Sequence, residues 1–410
     1  MRVYIFFITI TAILILIDSY TIGSFQKFIK RRGANPWYYR SLWIAAGFFL
    51  LLSIPVNNIK FSNPNPEYYI KVMSSLVFVW YLPKLPIFLV LVIKDIIRLI
   101  LFLVRKILGK ERNSGDRRPS NWAIAGWSLA LIPFAIYIYS STVTTTNFEV
   151  KRVEVTLQNL PKNLDGFKIA QISDIHPPSF YSAACFWEVR QLVQATTPDM
   201  VVITGDFVNN HPDELDLIYD EMTKFSAPHG VYGCIGNHDH YMTDELHEKL
   251  KVKIEEAGVD LLVNENITLE IKGEKLQLAG VDNSSWQLDY ADFDKTFEGL
   301  SDVYTTILLC HDPVDWQNNV RNSYKADLTL SGHTHGGQIG FDIFGYELAP
   351  AVLAYNYWRG LYYENGKYIY VNTGIGTVGP PIRIGDLNPE ITLIVLRSPD
   401  NLANDHKPSK

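Results

Sequence analysis

The sequence predicts an α/β domain that is preceded by an α-helical membrane region. Hydrophobic residues make up 47% of the 410-residue chain, and its mean hydropathy of +0.02 is too high for a wholly soluble protein. Most of this apolar excess lies before residue 142, whereas short β-rich runs alternate with helical stretches after Phe148. We therefore predict a membrane region over residues 1–145, a second domain over residues 146–400 and a disordered tail over residues 401–410.

The membrane region contains four apolar runs, over residues 3–17, 42–56, 72–93 and 122–139. The first run continues weakly to Ile22 and approaches the roughly 20 residues that cross a hydrocarbon core. A cleaved signal peptide would give a similar run, but no small-x-small cleavage site precedes Asp18. We therefore predict about four membrane helices.

The third run has two interpretations, because Pro83, Lys84 and Pro86 interrupt it. It predicts either one kinked span or a re-entrant pair. The residues that follow, 94–110, place Lys and Arg among Ile and Leu at helical spacing. This pattern predicts a helix that lies in the membrane interface.

The basic residues predict the orientation of these spans. The loops after the first and third runs are rich in Lys and Arg, whereas the loop between them contains only Lys60 and Lys71. Basic loops stay on the cytoplasmic side of the membrane. With four crossings, the second domain lies outside, in a multi-pass protein of the plasma (inner) membrane. If the third run is re-entrant, the number of crossings falls to three, and the side of the membrane on which the second domain lies has to be reassigned.

Charge and cysteine content argue against other classes of protein. The net charge is −6, and no basic run is interleaved with aromatic residues, so we expect no nucleic-acid partner. The three cysteines, Cys185, Cys234 and Cys310, lack the spacing of a metal site, and we interpret them as small buried hydrophobic residues. Nothing in the sequence specifies an oligomeric state.

Polar residues directly follow five predicted strands of the second domain. They are Ser173-Asp174-Ile175-His176, Thr204-Gly205-Asp206, Gly236-Asn237-His238-Asp239, His311-Asp312-Pro313 and Gly332-His333-Thr334-His335. Open α/β sheets place their ligands at the carboxyl ends of strands. Each motif alone is common in turns, but half of the ten histidines fall in these five segments. We therefore expect one shared site.

These residue types indicate a metal centre. Histidine nitrogens combined with carboxylate oxygens suit Mn²⁺, Fe²⁺, Zn²⁺ or Co²⁺, whereas a site of oxygens alone favours Mg²⁺ or Ca²⁺. Asp174 and His176 are two residues apart and can turn toward one ion. The two carboxylate oxygens of Asp206 can bridge two ions. The set implies two divalent ions, and we expect Mn²⁺ first among them.

The five motifs resemble those of the calcineurin-like metallophosphoesterases, whose signature is D-x-H, G-D, G-N-H-D/E, a lone H and G-H-x-H. All five are present in this order, and the resemblance covers roughly residues 153–396. It implies a four-layer α/β/β/α sandwich. It also implies that Asp174, His176, Asp206 and His335 bind one metal, and that Asp206, Asn237, His311 and His333 bind the other.

The resemblance further implies hydrolysis of a phosphate ester or pyrophosphate by a hydroxide that bridges the metals. His238, oriented by Asp239, would stabilise the developing charge or protonate the leaving oxygen. The alternative for His238 is a hydrogen bond that supports a ligand. Arg383 would contact a substrate phosphate, unless it is an ordinary loop arginine.

The C-terminal part is similar to a bacterial membrane-bound branch of the family that includes lipid-precursor pyrophosphatases. The similar segments are residues 372–376, 381–383 and 389–391. One departure is Pro177-Pro178-Ser179-Phe180, because many members have a small residue or Gly shortly after the first histidine. We expect this bulky segment to change access to the site, and therefore the substrate.

The substrate class stays open between a phosphate-containing small molecule and a lipid. Apolar and aromatic residues between Phe341 and Tyr363 predict a lipid-facing wall near the site, or a β-rich excursion packed on the core. A catalytically inactive metal-binding scaffold and a phosphodiesterase of soluble nucleotides are the alternative functions. A transporter is disfavoured, because among charges within the spans only Lys84 stands out.

Overall fold

The computed structural model describes residues 2–30, 33, 35–52, 66–109, 126, 128–284 and 288–399. The chain divides into two compact units. One comprises residues 1–62 and 69–139, and the other comprises residues 63–68 and 140–410. The predicted tail over residues 401–410 lies outside the described residues.

Helices form the described N-terminal part of the chain. They are α1 (Arg2–Lys30), α2 (Trp37–Leu52), α3 (Pro66–Tyr81), α4 (Lys84–Ile107) and α5 (Leu131–Thr142). Among the described residues, one segment, Thr11–Lys30 of α1, is long and apolar enough to cross a membrane. The second predicted span falls partly on α2 and the fourth partly on α5, and residues 53–56, 122–125 and 127 of these runs lie outside the described residues.

The third predicted span falls on two helices, α3 and α4, which are separated at Leu82 and Pro83. The interfacial helix predicted from residue 94 onward is not a separate element, because α4 runs unbroken from Lys84 to Ile107. Proline is tolerated in the first turn of a helix, so Pro86 does not interrupt α4. No further Pro or Gly follows before Gly109, and the helix therefore continues.

Lys84, the charge singled out in the predicted spans, has a partner. Its ammonium donates to the Asp18 carboxylate, and both side chains are buried. The Tyr81 hydroxyl also donates to Asp18, at 2.9 Å, and the Lys84 ammonium lies 3.5 Å from the centroid of the Trp80 ring. A buried charge needs such compensation, so this pair fixes α1 to the junction of α3 and α4.

The second unit is built on two six-stranded sheets. The first has the order β1 (Glu149–Thr156), β15 (Glu390–Arg397), β2 (Lys168–Ile172), β3 (Met200–Thr204), β4 (Val231–Cys234) and β5 (Asp260–Leu261). The second has the order β12 (Gly360–Glu364), β13 (Lys367–Val371), β9 (Leu328–Ser331), β8 (Thr305–Leu309), β7 (Glu274–Gly280) and β6 (Glu265–Ile271). A third, small sheet contains β11 (Tyr346–Leu348), β10 (Ile339–Ile343) and β14 (Ile384–Gly385).

The buried residues show four layers. Successive side chains of a strand point to opposite faces of a sheet. Val202 of β3 packs with Leu309 of β8 between the two sheets. Val201 and Ile203 face the opposite way, against helices α6 (Ala183–Ala195), α7 (Tyr219–Met222) and α8 (Asp244–Glu256).

On the outer face of the second sheet, Leu308 packs with Trp316 and Val320, in the region of α9 (Phe293–Phe297), α10 (Pro313–Asp315) and α11 (Arg321–Ser323). The α/β/β/α sandwich implied by the motifs is confirmed.

The strand directions determine where the motifs meet. Strands β2, β3 and β4 are parallel neighbours in the first sheet, and β8 and β9 are parallel neighbours in the second. Their carboxyl ends lead into the five polar segments. The two sheets therefore contribute to one site from facing layers.

Candidate metal centre

The five loops bring the predicted ligands into two groups. The possible ligand atoms of Asp174, His176, Asp206 and His335 all lie within 4.8 Å of one another, and those of Asp206, His311 and His333 do likewise. Asp206 belongs to both groups. The sequence motifs thus converge on two adjacent groups of possible ligands that have one carboxylate in common.

The Asp206 carboxylate faces histidines from both groups. Its Oδ2 atom lies 3.4 Å from Nε2 of His176 and 3.2 Å from Nε2 of His311. In the first group, Nε2 of His335 lies 3.3 Å from Oδ1 of Asp174. These distances suit donor atoms that point at a common centre.

Asn237, a predicted ligand, lies with the second group. Its Oδ1 atom is 2.7 Å from Nδ1 of His333. Its amide nitrogen donates to the Tyr241 hydroxyl at 2.9 Å, so the amide oxygen is the atom turned toward His333. An oxygen donor is therefore present where the resemblance implied one.

The ligand loops hold an uncommon backbone conformation. Positive φ angles occur at Asp174 (51°), His176 (43°), Asp206 (55°), His333 (69°) and His335 (50°). Residues other than glycine rarely adopt this region, and such strain concentrates at functional sites. Sequence reasoning missed this feature, and its one visible signal was the glycines that flank the ligands.

Two of those glycines are required by close contact with a ligand. A Cβ atom on Gly332 would lie 2.3 Å from Oδ2 of Asp174, and a Cβ atom on Gly236 would lie 2.2 Å from Oδ1 of Asp206. Any side chain at either position would displace a carboxylate. The G-N and G-H pairs of the motifs thus follow from packing against the ligands.

Buried imidazole nitrogens test whether these residues fit metal ions. Both ring nitrogens of His176 and of His335, and Nε2 of His311, are buried and have no hydrogen-bond partner among the described residues. Such orphaned polar atoms are costly unless something satisfies them. Nδ1–H of His311 donates to the carbonyl oxygen of Thr204 at 2.7 Å, which leaves Nε2 as a lone-pair donor beside Asp206. The donor set fits divalent cations.

The carboxylates at the centre differ in their electrostatics. Burial raises the pKa of Asp174. Burial would also raise the pKa of Asp206, but His311, His238 and His176 outweigh it and hold that pKa well below its usual range. The Asp206 carboxylate is therefore kept in its ionised form by its histidine neighbours.

His238 lies at the edge of the centre, with its ring centroid 4.8 Å from that of His176. Its Nδ1–H donates to the carbonyl oxygen of Asn209 at 2.9 Å, so Nε2 carries the lone pair when the ring is neutral. Burial lowers the pKa of His238 to about 4, against the opposing effect of the Asp206 charge, which raises it. The ring is only partly buried, in contrast to the fully enclosed His176.

Asp239 does not orient His238, which corrects the sequence prediction. Its carboxylate accepts the backbone N–H groups of Asp206 at 3.0 Å, Val208 at 3.2 Å and Gly236 at 2.9 Å. Neighbouring side chains in a 3₁₀ turn point in different directions. Asp239 therefore joins the loops after β3 and β4. The carbonyl oxygen of Asn209, 29 residues before His238, orients the His238 ring in its place.

Arg383 also differs from its prediction as a substrate contact. The side chain is fully buried, and its guanidinium donates to the carbonyl oxygens of Thr373 (2.7 Å), Gly374 (3.0 Å), Gly376 (2.5 Å) and His335 (3.3 Å). The guanidinium is thus enclosed by backbone. Arg383 fixes the loop after β13 against the His335 loop.

Two further side chains contact His333 and were not predicted. The Tyr355 hydroxyl lies 3.2 Å from Nε2 of His333, and Oδ2 of Asp312 lies 3.7 Å from the same atom. Asp312 was visible as the neighbour of His311 in its motif. Tyr355 belongs to the apolar and aromatic stretch between Phe341 and Tyr363, for which a wall near the site was one of the two predictions.

The bulky segment after His176 contributes partly to the core. Residues Pro177–Ser179 form a 3₁₀ turn, and Phe180 is buried between Phe148 and Phe186, with ring centroids 6.3 and 5.8 Å away. The predicted effect of this segment on access therefore cannot come from the Phe180 ring.

Comparison with known families agrees with this geometry. The family model described as calcineurin-like phosphoesterase matches residues 167–337, which contain all five motifs. A second one, described as the transmembrane domain of a probable calcineurin-like phosphoesterase, matches residues 1–144.

Relatives extend these matches. The chain is 32% identical over 271 residues to the uncharacterized metallophosphoesterase YkuE of Bacillus subtilis, covering 65% of this chain and 89% of that protein. It is 26% identical over 393 residues to an uncharacterized metallophosphoesterase of Campylobacter jejuni, covering 93% and 96%. A solved structure, the NAD nucleotidase of Haemophilus influenzae, is 14% identical with a TM-score of 0.36 over 52% of this chain and 46% of its own. This protein belongs to the calcineurin-like phosphoesterase family, and its N-terminal part matches the transmembrane domain of such proteins.

Proposed function

We propose that this protein is a membrane-anchored hydrolase of phosphate esters or pyrophosphates that uses two metal ions. The observation that carries this proposal is the position of Asp206, whose Oδ2 atom lies close to Nε2 of both His176 and His311. Membership of a family of metal-dependent phosphoesterases supports the reaction class.

We propose two ligand sets. Asp174, His176, Asp206 and His335 would hold one ion, and Asp206, Asn237, His311 and His333 the other. The unpaired buried nitrogens of His176, His311 and His335 support this assignment. The mixed nitrogen and oxygen donors suit Mn²⁺ first, with Fe²⁺, Zn²⁺ or Co²⁺ as alternatives.

When bound, two such ions would polarise the phosphate oxygens and supply a nucleophile derived from water at neutral pH. The chain's own contribution is positioning and proton transfer. His238 is held through its Nδ1–H by Asn209, so that its neutral Nε2 would take up a proton from the attacking water and give it to the leaving oxygen. Asp239 and Arg383 act through the loops that they hold.

We further propose a lipid-linked phosphate as the substrate. The apolar segment that begins at Phe341 runs on to Tyr355, whose hydroxyl contacts His333 of the metal centre. Phe344, Tyr346 and Leu353 of this segment are highly exposed. An acyl or prenyl chain attached to a phosphate would find apolar surface beside the reacting group.

We also propose that residues 1–145 form a membrane region with about four spans and that residues 146–400 form the phosphoesterase domain. The location that we propose is the plasma (inner) membrane of a bacterium. The transmembrane-domain match over residues 1–144 and the Thr11–Lys30 helix support the anchor. The distribution of Lys and Arg supports an extracytoplasmic α/β domain.

The full chain, purified in detergent, tests the proposal. Metal content would be measured before and after chelation, and hydrolysis would be followed with Mn²⁺ on a lipid pyrophosphate, a phospholipid, a nucleotide and a soluble aryl phosphate. We expect bound metal, chelator-sensitive hydrolysis and preference for a lipid-linked substrate. If the metal-loaded chain hydrolyses none of these compounds, the result contradicts the proposed hydrolase activity. Preference for the nucleotide would instead favour a soluble phosphodiester substrate.

A further inference from the structure

Strands β10 and β11 form a hairpin with one wholly apolar face. Phe341 lies opposite Leu348, Ile343 lies opposite Tyr346, and Asp342 lies opposite Glu347. Side chains alternate along a strand, so the first two pairs share a face and the acidic pair occupies the other. We call residues 339–348 the apolar hairpin.

The apolar face of this hairpin is uncovered among the described residues. Phe344 is 98% exposed and Tyr346 is 76% exposed, and Leu353, in the turn that follows, is 90% exposed. The neighbouring strand β14 pairs only with Ile339 and Gly340 at the base of β10. Contiguous apolar surface of this kind marks an interaction site.

The hairpin turn holds a bulky aromatic residue in an unfavourable conformation. The two turn residues, Phe344 and Gly345, have φ angles of 54° and 82°, as in a type I′ turn. Asn, Asp or Gly normally takes the first position, and a bulky residue there is an outlier. The Asp342 carboxylate stabilises the turn by accepting the Gly345 N–H at 2.7 Å. The chain thus presents a phenyl ring at the outermost point despite its conformational cost, which indicates a ligand for that ring.

The acidic face fixes the direction of the apolar one. Glu347 accepts hydrogen bonds from Nε1 of Trp358 at 3.2 Å and from Nε of Arg359 at 3.1 Å. The backbone N–H of Asp342 donates to Asp386 at 2.8 Å. The hairpin is therefore attached to its own domain through its polar face, and the apolar face is directed away.

We propose that the apolar hairpin, together with Leu353, docks into the apolar boundary of a lipid bilayer. The same chain contains the Thr11–Lys30 helix and matches a transmembrane domain, so a bilayer is tethered to this surface at high effective concentration. Aromatic and aliphatic side chains at the tip, without a Lys or Arg between Ile339 and Leu353, suit apolar insertion of about 5–10 Å more than attraction to anionic headgroups.

Docking would bring the metal centre to the lipid surface. The segment after the hairpin continues to Tyr355, whose hydroxyl lies 3.2 Å from His333. A phosphate at the bilayer interface would then meet the centre without leaving the membrane. This inference rests on the proposed membrane anchor, and does not depend on hydrolysis.

Site-specific fluorescence tests the docking without an activity assay. The full chain, carrying Cys185→Ser, would receive a cysteine at Phe344 or at Leu353, labelled with an environment-sensitive fluorophore and placed in phosphatidylcholine nanodiscs at one copy per disc. The Leu353→Cys variant keeps the phenyl ring of Phe344. Lys272→Cys is the matched control, because Lys272 and Gly273 form a two-residue hairpin turn with φ angles of 52° and 77° and a polar tip.

In phosphatidylcholine nanodiscs we expect blue-shifted emission from the fluorophore at positions 344 and 353, compared with position 272. When the lipids carry brominated acyl chains, we expect the emission at positions 344 and 353 to be quenched and that at position 272 to be unchanged. Emission at 344 and 353 that is as insensitive to brominated lipid as at 272 would overturn the proposal. A blue shift without quenching would also overturn it, because protein would then cover the patch. Failure of the chain to enter nanodiscs would contradict the anchor, and the docking with it.

Discussion

The Asp239 carboxylate accepts the backbone N–H of Asp206 at 3.0 Å, and the same oxygen atom accepts the N–H of Gly236 at 2.9 Å. These N–H groups belong to the loops that follow β3 and β4. One buried side chain therefore determines the spacing of the loops that present Asp206 and Asn237. Its effect on the metal centre passes through backbone and not through His238.

Removal of this carboxylate should loosen both loops. We predict that Asp239→Ala weakens Mn²⁺ binding by roughly 10–100-fold, the usual effect of losing a group that supports metal ligands. Asp239→Asn keeps one acceptor oxygen, and its affinity for Mn²⁺ should lie between those of Asp239→Ala and the wild type. Titration calorimetry of the metal-depleted chain measures the effect. Wild-type affinity combined with a fall in kcat alone would return Asp239 to the role of orienting His238.

His238 should affect turnover and leave metal content unchanged. It lies beside the ligands, but Asn209 holds its Nδ1 and it stands outside both proposed ligand sets. We predict that His238→Ala retains the metal content of the wild type and lowers kcat by roughly 10²–10⁴-fold, as for loss of a general acid or base. Elemental analysis and rate measurements on one preparation provide both values. Full activity in this variant would remove His238 from the mechanism.

Arg383 should influence stability more than substrate binding. Its guanidinium satisfies several buried carbonyl groups, and methionine has no donor to replace it. Since each unsatisfied buried group costs about 1–3 kcal/mol, we predict that Arg383→Met lowers Tm by roughly 5–10 °C. KM measured well below the new Tm should be unchanged. A raised KM at unchanged Tm would restore the phosphate contact that the sequence suggested.

The side of the membrane can be tested by chemical labelling. Asn365 is exposed in the turn between β12 and β13. In a Cys185→Ser background, where Cys234 and Cys310 are buried, Asn365→Cys should react with an impermeant maleimide in intact cells, because the basic loops favour an extracytoplasmic domain. Reaction only after lysis would place the domain in the cytoplasm and favour cytoplasmic lipid precursors as substrates.

The convergence of the candidate metal ligands could be predicted because their signal is local. A short motif such as Asp174-Ile175-His176 directly follows a strand, and parallel strands bring such motifs to one edge. The four-layer fold followed from the same motifs through resemblance.

Features that depend on contacts between distant residues could not be predicted. The partner of His238 is the Asn209 carbonyl, and that of Lys84 is Asp18, each far away in the sequence. Burial of the Arg383 guanidinium was equally hidden, since arginine is usually exposed. The continuity of α4 was missed because a change in composition at Lys94 was interpreted as a new element.

Metal stoichiometry of Asp206→Asn tests the central claim most directly, because two ions that share one carboxylate should both depend on it. Asp199→Asn, at the opposite end of β3, where the carboxylate accepts the Lys168 N–H at 2.8 Å, is the matched control. By elemental analysis of the full chain we predict two Mn²⁺ ions per chain in the wild type and in the control. In Asp206→Asn we predict that both the bound metal and the hydrolytic activity are lost. Two ions still bound to Asp206→Asn, or a single ion in the wild type, would contradict the shared ligand.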